Sequence, residues 1–227
     1  MHRPLLLGHR GARKYAPENT LPAFQLALGH GCDGFEFDVR LTSDGDAVIC
    51  HDPKYEGLVV ERTTRDALAG RWPAEAGLCS LEDVIEQFHQ KAFLNIELKV
   101  EGVEDYLLDL LKKRPVEKGC ILSSFLPSVV EDLASKGVTV PLGIICDSQH
   151  QLDRWPELPI NAVMAHRGLL SRRLIEQVHA SGKQLFVWTV NNVNEMKAFA
   201  EAGVDGLISD DTLLLATTLG AANAATP

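Results

Sequence analysis

The stretch Gly34-Phe-Glu-Phe-Asp-Val-Arg-Leu-Thr-Ser-Asp-Gly-Asp-Ala-Val-Ile-Cys-His-Asp52 decides how the rest of the chain is counted. Residues 35 to 42 alternate apolar and polar, the period of a strand. Asp44-Gly45 is a strong hairpin signal, and Ala47 to Cys50 runs back as a second strand. With Asp44 and Gly45 as a two-residue turn, Ser43 faces Asp46 and Asp38 lies opposite His51. Glu36 and Asp38, two apart, share one face of the strand. In that register Glu36, Asp38 and His51 gather at one spot, and a slip of one residue moves His51 to the other face.

The return arm is antiparallel to its partner, so it does not count as a member of a parallel sheet. Outward from the hairpin, strand and helix alternate. Eight strands remain, at residues 5, 35, 93, 120, 142, 162, 185 and 206. Helical runs separate them: Asn19-Thr20 offers an N-cap for one with Pro22 in its first turn, Ser80-Leu81-Glu82-Asp83 is a capping box opening another, and Pro127 starts a third. Gly31, Gly137, Gly182 and Gly203 stand where helices end. This count predicts an α/β fold, a closed (β/α)8 TIM barrel, with a doubly wound open sheet as the alternative. Residues 1–219 are expected to form one catalytic barrel domain. Within it 53–78 is an insertion or lid of little periodicity, and 220–227 is a tail.

The chain has 227 residues, enough for one large α/β domain, and its formal charge of −9 argues against broad binding to nucleic acid. Five cysteines without close pairing motifs suit reduced, buried thiols in a cytoplasmic protein, with Cys50 and Cys120 as core residues. Leu5-Leu6-Leu7 is too short an apolar run for a signal peptide. No run approaches the roughly 20 apolar residues of a membrane span.

A barrel of this kind carries its chemistry at the C-terminal ends of its strands. There the sequence places His9 and Arg10, Glu36 and Asp38, His51 and Asp52, Glu97 and Lys99, Ser123 to Phe125, Trp188 to Asn191, and Ser209 to Asp211. Asn95-Ile96-Glu97-Leu98-Lys99 is the clearest anomaly, because ionised side chains inside an apolar strand are costly to desolvate. Glu36, Asp38 and Glu97 converging on one mouth repel one another, and a divalent cation relieves that. Oxygen ligands point to Mg²⁺ or Ca²⁺. Lys99 and Arg10 at the same rim suit a bound phosphate. His9 and His51 flanking it suit general acid–base work. Metal, phosphate clamp and two histidines together describe phosphoester hydrolysis or transfer.

Blander readings exist for single members. Glu97 and Lys99 can be a structural ion pair, His9 a core histidine, and Trp188 core packing instead of a pocket wall. Asp44 and Asp46 are turn residues. His2, His30, His89, His150 and His179 read as solvated.

The chain resembles the glycerophosphodiester phosphodiesterase family. The matching pieces are Gly8-His9-Arg10-Gly11, Pro17-Glu18-Asn19-Thr20, Glu36-Phe37-Asp38-Val39, Thr42-x-Asp44-Gly45, His51-Asp52, Asn95 to Lys99, Ser124-Phe125, Val187 to Asn191 and Gly203-Val204-Asp205-Gly206. The resemblance implies a (β/α)8 barrel that hydrolyses glycerophosphodiesters, small molecules, to glycerol 3-phosphate and an alcohol. It implies that Glu36, Asp38 and Glu97 bind Mg²⁺ or Ca²⁺, that His9 and His51 are acid and base, and that Arg10 and Lys99 contact phosphate. The family often has a longer insertion than Pro53 to Leu78. Two rivals share the site: a lysophospholipase D type enzyme, for which Leu58-Val59-Val60 is the one candidate lipid contact, and a phosphate-binding barrel without turnover.

Overall fold

The structure, a computed structural model, describes residues 3–73 and 76–220. In chain order the elements are β1 (Leu5–Gly8), α1 (Leu21–Gly29), β2 (Gly34–Leu41), β3 (Ala47–Ile49), β4 (Lys54–Tyr55), β5 (Leu58–Val59), α2 (Arg65–Ala69), α3 (Leu81–Phe88), β6 (Phe93–Leu98), α4 (Glu104–Lys113), β7 (Cys120–Ser124), α5 (Pro127–Ser135), β8 (Leu142–Cys146), α6 (Gln149–Leu152), β9 (Ala162–His166), α7 (Arg172–Ala180), β10 (Gln184–Trp188), α8 (Val193–Ala202), β11 (Gly206–Ser209) and α9 (Thr212–Leu219). The parallel strands follow one another in the order β1-β11-β10-β9-β8-β7-β6-β2, and β1 also pairs with β2, which closes the barrel. The antiparallel β3 hangs on the outer part of β2 and takes no place in the ring.

Local sequence explains the boundaries. Thr20 caps α1 by accepting from the Ala23 amide, Ser80 and Asp83 form the reciprocal box at α3, and Gly203 ends α8 at φ +89°. On β2 the alternation sorts two environments. Phe35, Phe37 and Val39 face outward into the layer under the helices, where Phe35 stacks on Phe24 at 4.3 Å and meets Phe88 edge-on. Glu36 and Asp38 face the barrel interior. The interior floor is apolar, built from Leu7, Ile121, Ile145, Met164, Phe186 and Ile208, so charge is confined to the layer above it.

The expected hairpin register is corrected by one residue. Val39 pairs with Ile49, Arg40 with Val48 and Leu41 with Ala47, and the Cys50 amide donates to the Asp38 carbonyl. Asp38 therefore faces Cys50, not His51. The loop has three residues, Ser43, Asp44 and Gly45. The Gly45 amide closes a turn onto the Thr42 carbonyl, and Gly45 sits at φ +86°.

The segment 53–78, expected as an insertion or lid, holds β4 and β5 as a small hairpin, a 3₁₀ turn at Val60–Arg62 and α2. Its Ala74 and Glu75 lie outside the described residues, as do His2 and residues 221–227 of the expected tail. All five cysteines are buried and unpaired. Among the described residues no helix is long and apolar enough to cross a membrane.

Candidate active site

Glu36 and Asp38 project from β2, and Glu97 from β6. The parallel register sets Asp38 beside Glu97. One carboxylate oxygen from each lies within 4.8 Å of the others, and all three residues are buried. Each carboxylate has fixed partners. The Arg10 amide donates to Glu36 Oε2 at 2.9 Å, Asn19 Nδ2 to Asp38 Oδ2 at 2.8 Å, and Lys99 Nζ to Glu97 Oε1 at 2.5 Å. Lys99 Nζ also lies 3.4 Å from Asp38 Oδ1, and Arg10 Nε 3.4 Å from Asp38 Oδ2. Arg10 and Asn19 both adopt left-handed backbone conformations, φ +51° and +58°, which for non-glycine residues mark strain held in place by the surrounding bonds.

Glu36 Oε1 and Asp38 Oδ1 are buried and make no hydrogen bond, Asp38 Oδ1 having only the Lys99 ammonium at 3.4 Å. Buried carboxylate oxygens left in that state are costly. Burial, then the charges of Asp38 and Glu97, push Glu36 well above the usual carboxylate range. Burial and the Asp38 charge push Glu97 up to about 7, against the pull of Lys99. Burial also opposes ionisation of Asp38, but Lys99, Arg10, His51 and Asn19 together hold it below its ordinary value. An all-oxygen cluster with two orphaned atoms and mutual repulsion fits a hard divalent cation such as Mg²⁺ or Ca²⁺.

His9 and His51 line the same cavity of about 340 Å³ as Glu36, Glu97, Lys99 and Arg10. His9 Nδ1 is 2.7 Å from Asp210 Oδ1. Burial opposes the Asp210 charge, but bonds from His9 and Asn191 and the nearby Arg13 keep it below its ordinary pKa, so the carboxylate accepts and Nδ1 carries the proton. His9 Nε2 lies 3.9 Å from Glu36 Oε2. His51 Nδ1 is likewise 2.7 Å from Asp52 Oδ1. Burial, with Lys99 and Arg10 nearby, holds the His51 ring below its usual pKa despite the pull of Asp38. His51 reaches the cavity although the register differs, because β3 ends at Ile49 and residue 51 lies past the ladder.

The opposite wall is apolar. Trp188 lines it with Phe125, Ile145, Met164 and Ile208, its Nε1 donating to the Met164 carbonyl at 3.0 Å. Lys99 Nζ sits 5.4 Å from the Phe125 ring centroid. Asn19, expected as part of the N-cap of α1, instead hydrogen-bonds Asp38 through its side chain, and Thr20 alone makes the cap. It also left Asp210 and Asp211 undistinguished. Asp210 holds His9, while Asp211 turns away to Lys14, Tyr15 and the cap of α9. Of the histidines expected to be solvated, His150 and His179 are exposed, and His30 and His89 are half-buried, bonded to Thr212 and to the Pro115 carbonyl.

The sequence profile of the glycerophosphoryl diester phosphodiesterase family matches residues 9–214. A glycerophosphodiester phosphodiesterase from Caldanaerobacter subterraneus subsp. tengcongensis is 32% identical, over 92% of this chain and 95% of its own. Among solved structures, a glycerophosphodiester phosphodiesterase from Thermotoga maritima superposes with a TM-score of 0.81 at 26% identity, covering 96% of this chain and 99% of that one. A phosphodiesterase from Oleispira antarctica, solved in complex with the product sn-glycerol-3-phosphate, gives 0.82 at 24% identity over 96% and 97%, a likeness that carries the fold alone.

Proposed function

The chain belongs to the glycerophosphoryl diester phosphodiesterase family, and from that premise we propose that it hydrolyses glycerophosphodiesters to glycerol 3-phosphate and an alcohol at the mouth of its barrel. The observation that carries the reading is one cavity in which Glu36 and Glu97, with Asp38 buried beside them, meet Lys99, Arg10 and two carboxylate-backed histidines.

Glu36, Asp38 and Glu97 would hold Mg²⁺ or Ca²⁺, which supplies Lewis-acid neutralisation of phosphoryl charge when bound. Lys99 and Arg10 face the same space and counter the charge that grows on the non-bridging oxygens. Of His9 and His51, one removes the proton from the attacking hydroxyl, either of water or of the substrate's own glycerol, the latter giving a cyclic phosphate that water then opens to glycerol 3-phosphate. The other returns a proton to the departing alkoxide oxygen. Asp210 and Asp52 fix Nδ1 of each ring as the donor end, so that Nε2 is the working atom in both. Trp188 and its apolar neighbours cover the carbon skeleton of the substrate and keep water from that side. Five buried, unpaired thiols support a reducing, cytoplasmic setting.

The test is a substrate panel comparing glycerophosphocholine, glycerophosphoglycerol and a lysophospholipid, with release of the phosphate monoester as the readout: glycerol 3-phosphate from the first two, its acylated form from the third. His9→Ala and His51→Ala are each expected to lower turnover by at least about a hundredfold. Near-normal hydrolysis by either variant removes that histidine from the mechanism. Preference for the lysophospholipid would move the assignment to a lysophospholipase D type activity.

A further inference from the structure

The two histidines are supported very differently. The backbone of His9 continues β1, its amide donating to the Ser209 carbonyl at 2.8 Å, and its ring is braced by Asp210, itself bonded by Asn191. His51 has no such frame. The β2–β3 ladder ends at Val39–Ile49, and the Cys50 amide makes the last bond to β2. Had the ladder continued in that register, residue 51 would stand opposite Phe37, on the face that packs under the helices. The chain must therefore leave the sheet after Cys50 for the imidazole to reach the cavity. The partner of its ring, Asp52, is the next residue in the same departing segment, and its side chain is 72% exposed. Asp52 cannot anchor a segment of which it is part.

One group from the fixed strand grips this segment. Arg40 of β2, a buried residue on the same face as Glu36 and Asp38, donates from Nε to the His51 carbonyl at 2.9 Å. Among the described residues no other hydrogen bond holds the residue-51 backbone. The far end of the guanidinium is occupied too, with Nη1 3.1 Å from Glu61 Oε1 in the insertion. A charged donor to a carbonyl is stronger than a neutral one, and the planar guanidinium cannot swing about a bond held at both ends.

We propose that Arg40 is a positioning residue for His51, a clamp that turns the chain out of the β-ladder and sets the imidazole against the cation-binding carboxylates, with Glu61 of the insertion fixing the clamp. The inference rests on the proposed phosphodiesterase reading for its kinetic consequence and on geometry alone for its structural one. A displaced acid or base of about 1 Å costs on the order of a hundredfold in rate.

Two readouts separate these. In Arg40→Ala, kcat for glycerophosphodiester hydrolysis is expected to fall between about tenfold and a hundredfold. KM should change little, and the rise in Tm on adding Mg²⁺ or Ca²⁺ should be retained, because the carboxylates are untouched. In a His51→Ala background the same substitution should cost nothing further, which a general loss of fold would not reproduce. Arg40→Gln keeps one donor for the carbonyl and should recover part of kcat; it serves also where the alanine variant does not fold. Independently of turnover, the imidazole NMR resonances of His51, assigned by their loss in His51→Ala, should shift in both Arg40 variants while those of His9 stay in place. Unmoved His51 resonances, or an equal loss of kcat in the presence and absence of the histidine, overturn the clamp. Failure of the wild type to hydrolyse any diester would sink the proposed function and leave the resonance result standing.

Discussion

Asp210 and Asp211 are neighbours in sequence, yet Asp210 bonds the His9 ring while Asp211 accepts from the Leu214 amide at the start of α9. Glu36, Asp38, Glu97 and Lys99 stand inside apolar strands, and their cost of desolvation marks them. Asp210 breaks no pattern: it lies in a Ser-Asp-Asp run where a strand becomes a helix, and either acid could have capped α9. The structure separates them by contact, giving Asp211 to Leu214, Lys14 and Tyr15 and Asp210 to His9. That contact has a consequence for the tautomer. An amide at residue 210 can present its NH₂ to the ring as readily as its oxygen, so the proton on Nδ1 is no longer enforced. Asp210→Asn should lower kcat on the order of a hundredfold, with stability close to wild type, as read by steady-state assay beside urea unfolding. Full activity in that variant would mean the ring is oriented by something other than Asp210. Asn19 was hidden for a different reason. A residue next to an N-cap looks like part of the cap, and only the fold shows Thr20 doing that work while Asn19 reaches across to Asp38.

At the level of elements, the strands and helices followed from periodicity and caps, and the hairpin register did not. An Asp-Gly pair serves a two-residue turn and equally the last two positions of a three-residue loop, because both place glycine where φ is positive. The two loops differ by one residue in register, and local sequence does not choose between them. The structure chooses the longer loop, tied by Thr42, whose hydroxyl accepts from the Asp46 amide at 3.0 Å. Gly45 at φ +86° has open space around its α-carbon, so a methyl there meets no atom and suffers backbone strain alone. Gly45→Ala is thus expected to cost about 1–2 kcal/mol in urea unfolding, while the cation-induced rise in Tm survives. An unchanged midpoint would indicate that the loop relaxes readily into another turn. The contrast with Gly34 is instructive. A Cβ there would come within 1.8 Å of the Phe93 carbonyl oxygen, at the pairing that sets Asp38 beside Glu97. That glycine is required by close approach between strands, and the sequence gives no hint of it beyond the residue itself.

For the whole molecule, closure of the barrel was the most legible feature, because counting parallel strands and excluding one antiparallel arm leaves the closed ring. Closure also creates the molecule's main electrostatic problem. It brings three carboxylates from two neighbouring strands out of water, in a chain whose formal charge is already −9. Without a cation the protein answers with protons. Glu36 is held well above the carboxylate range and Glu97 at about 7, chiefly by burial and by neighbouring negative charge. Both bind a proton more tightly folded than unfolded. Their contribution to stability is therefore fully present below the ordinary glutamate pKa of about 4.3 and falls as pH rises, that of Glu97 being lost through about 7. Asp38 runs the other way, its contribution being present above its ordinary value and lost only in stronger acid. Across the interval from about 4.3 to 7 the metal-free fold should thus weaken with rising pH on account of the two glutamates. A cation takes the place of those protons, so it should bind weakly at pH 5.5 and strongly at pH 8. The expected result is a rise in Tm on adding Mg²⁺ or Ca²⁺ that is several degrees larger at pH 8 than at pH 5.5. EDTA should reverse it at both values and abolish turnover. Measuring the difference with and without cation at each pH cancels titrating groups remote from the site. An equal rise at both pH values would show that protons and cation do not compete, and that the acidic trio is not where the ion binds.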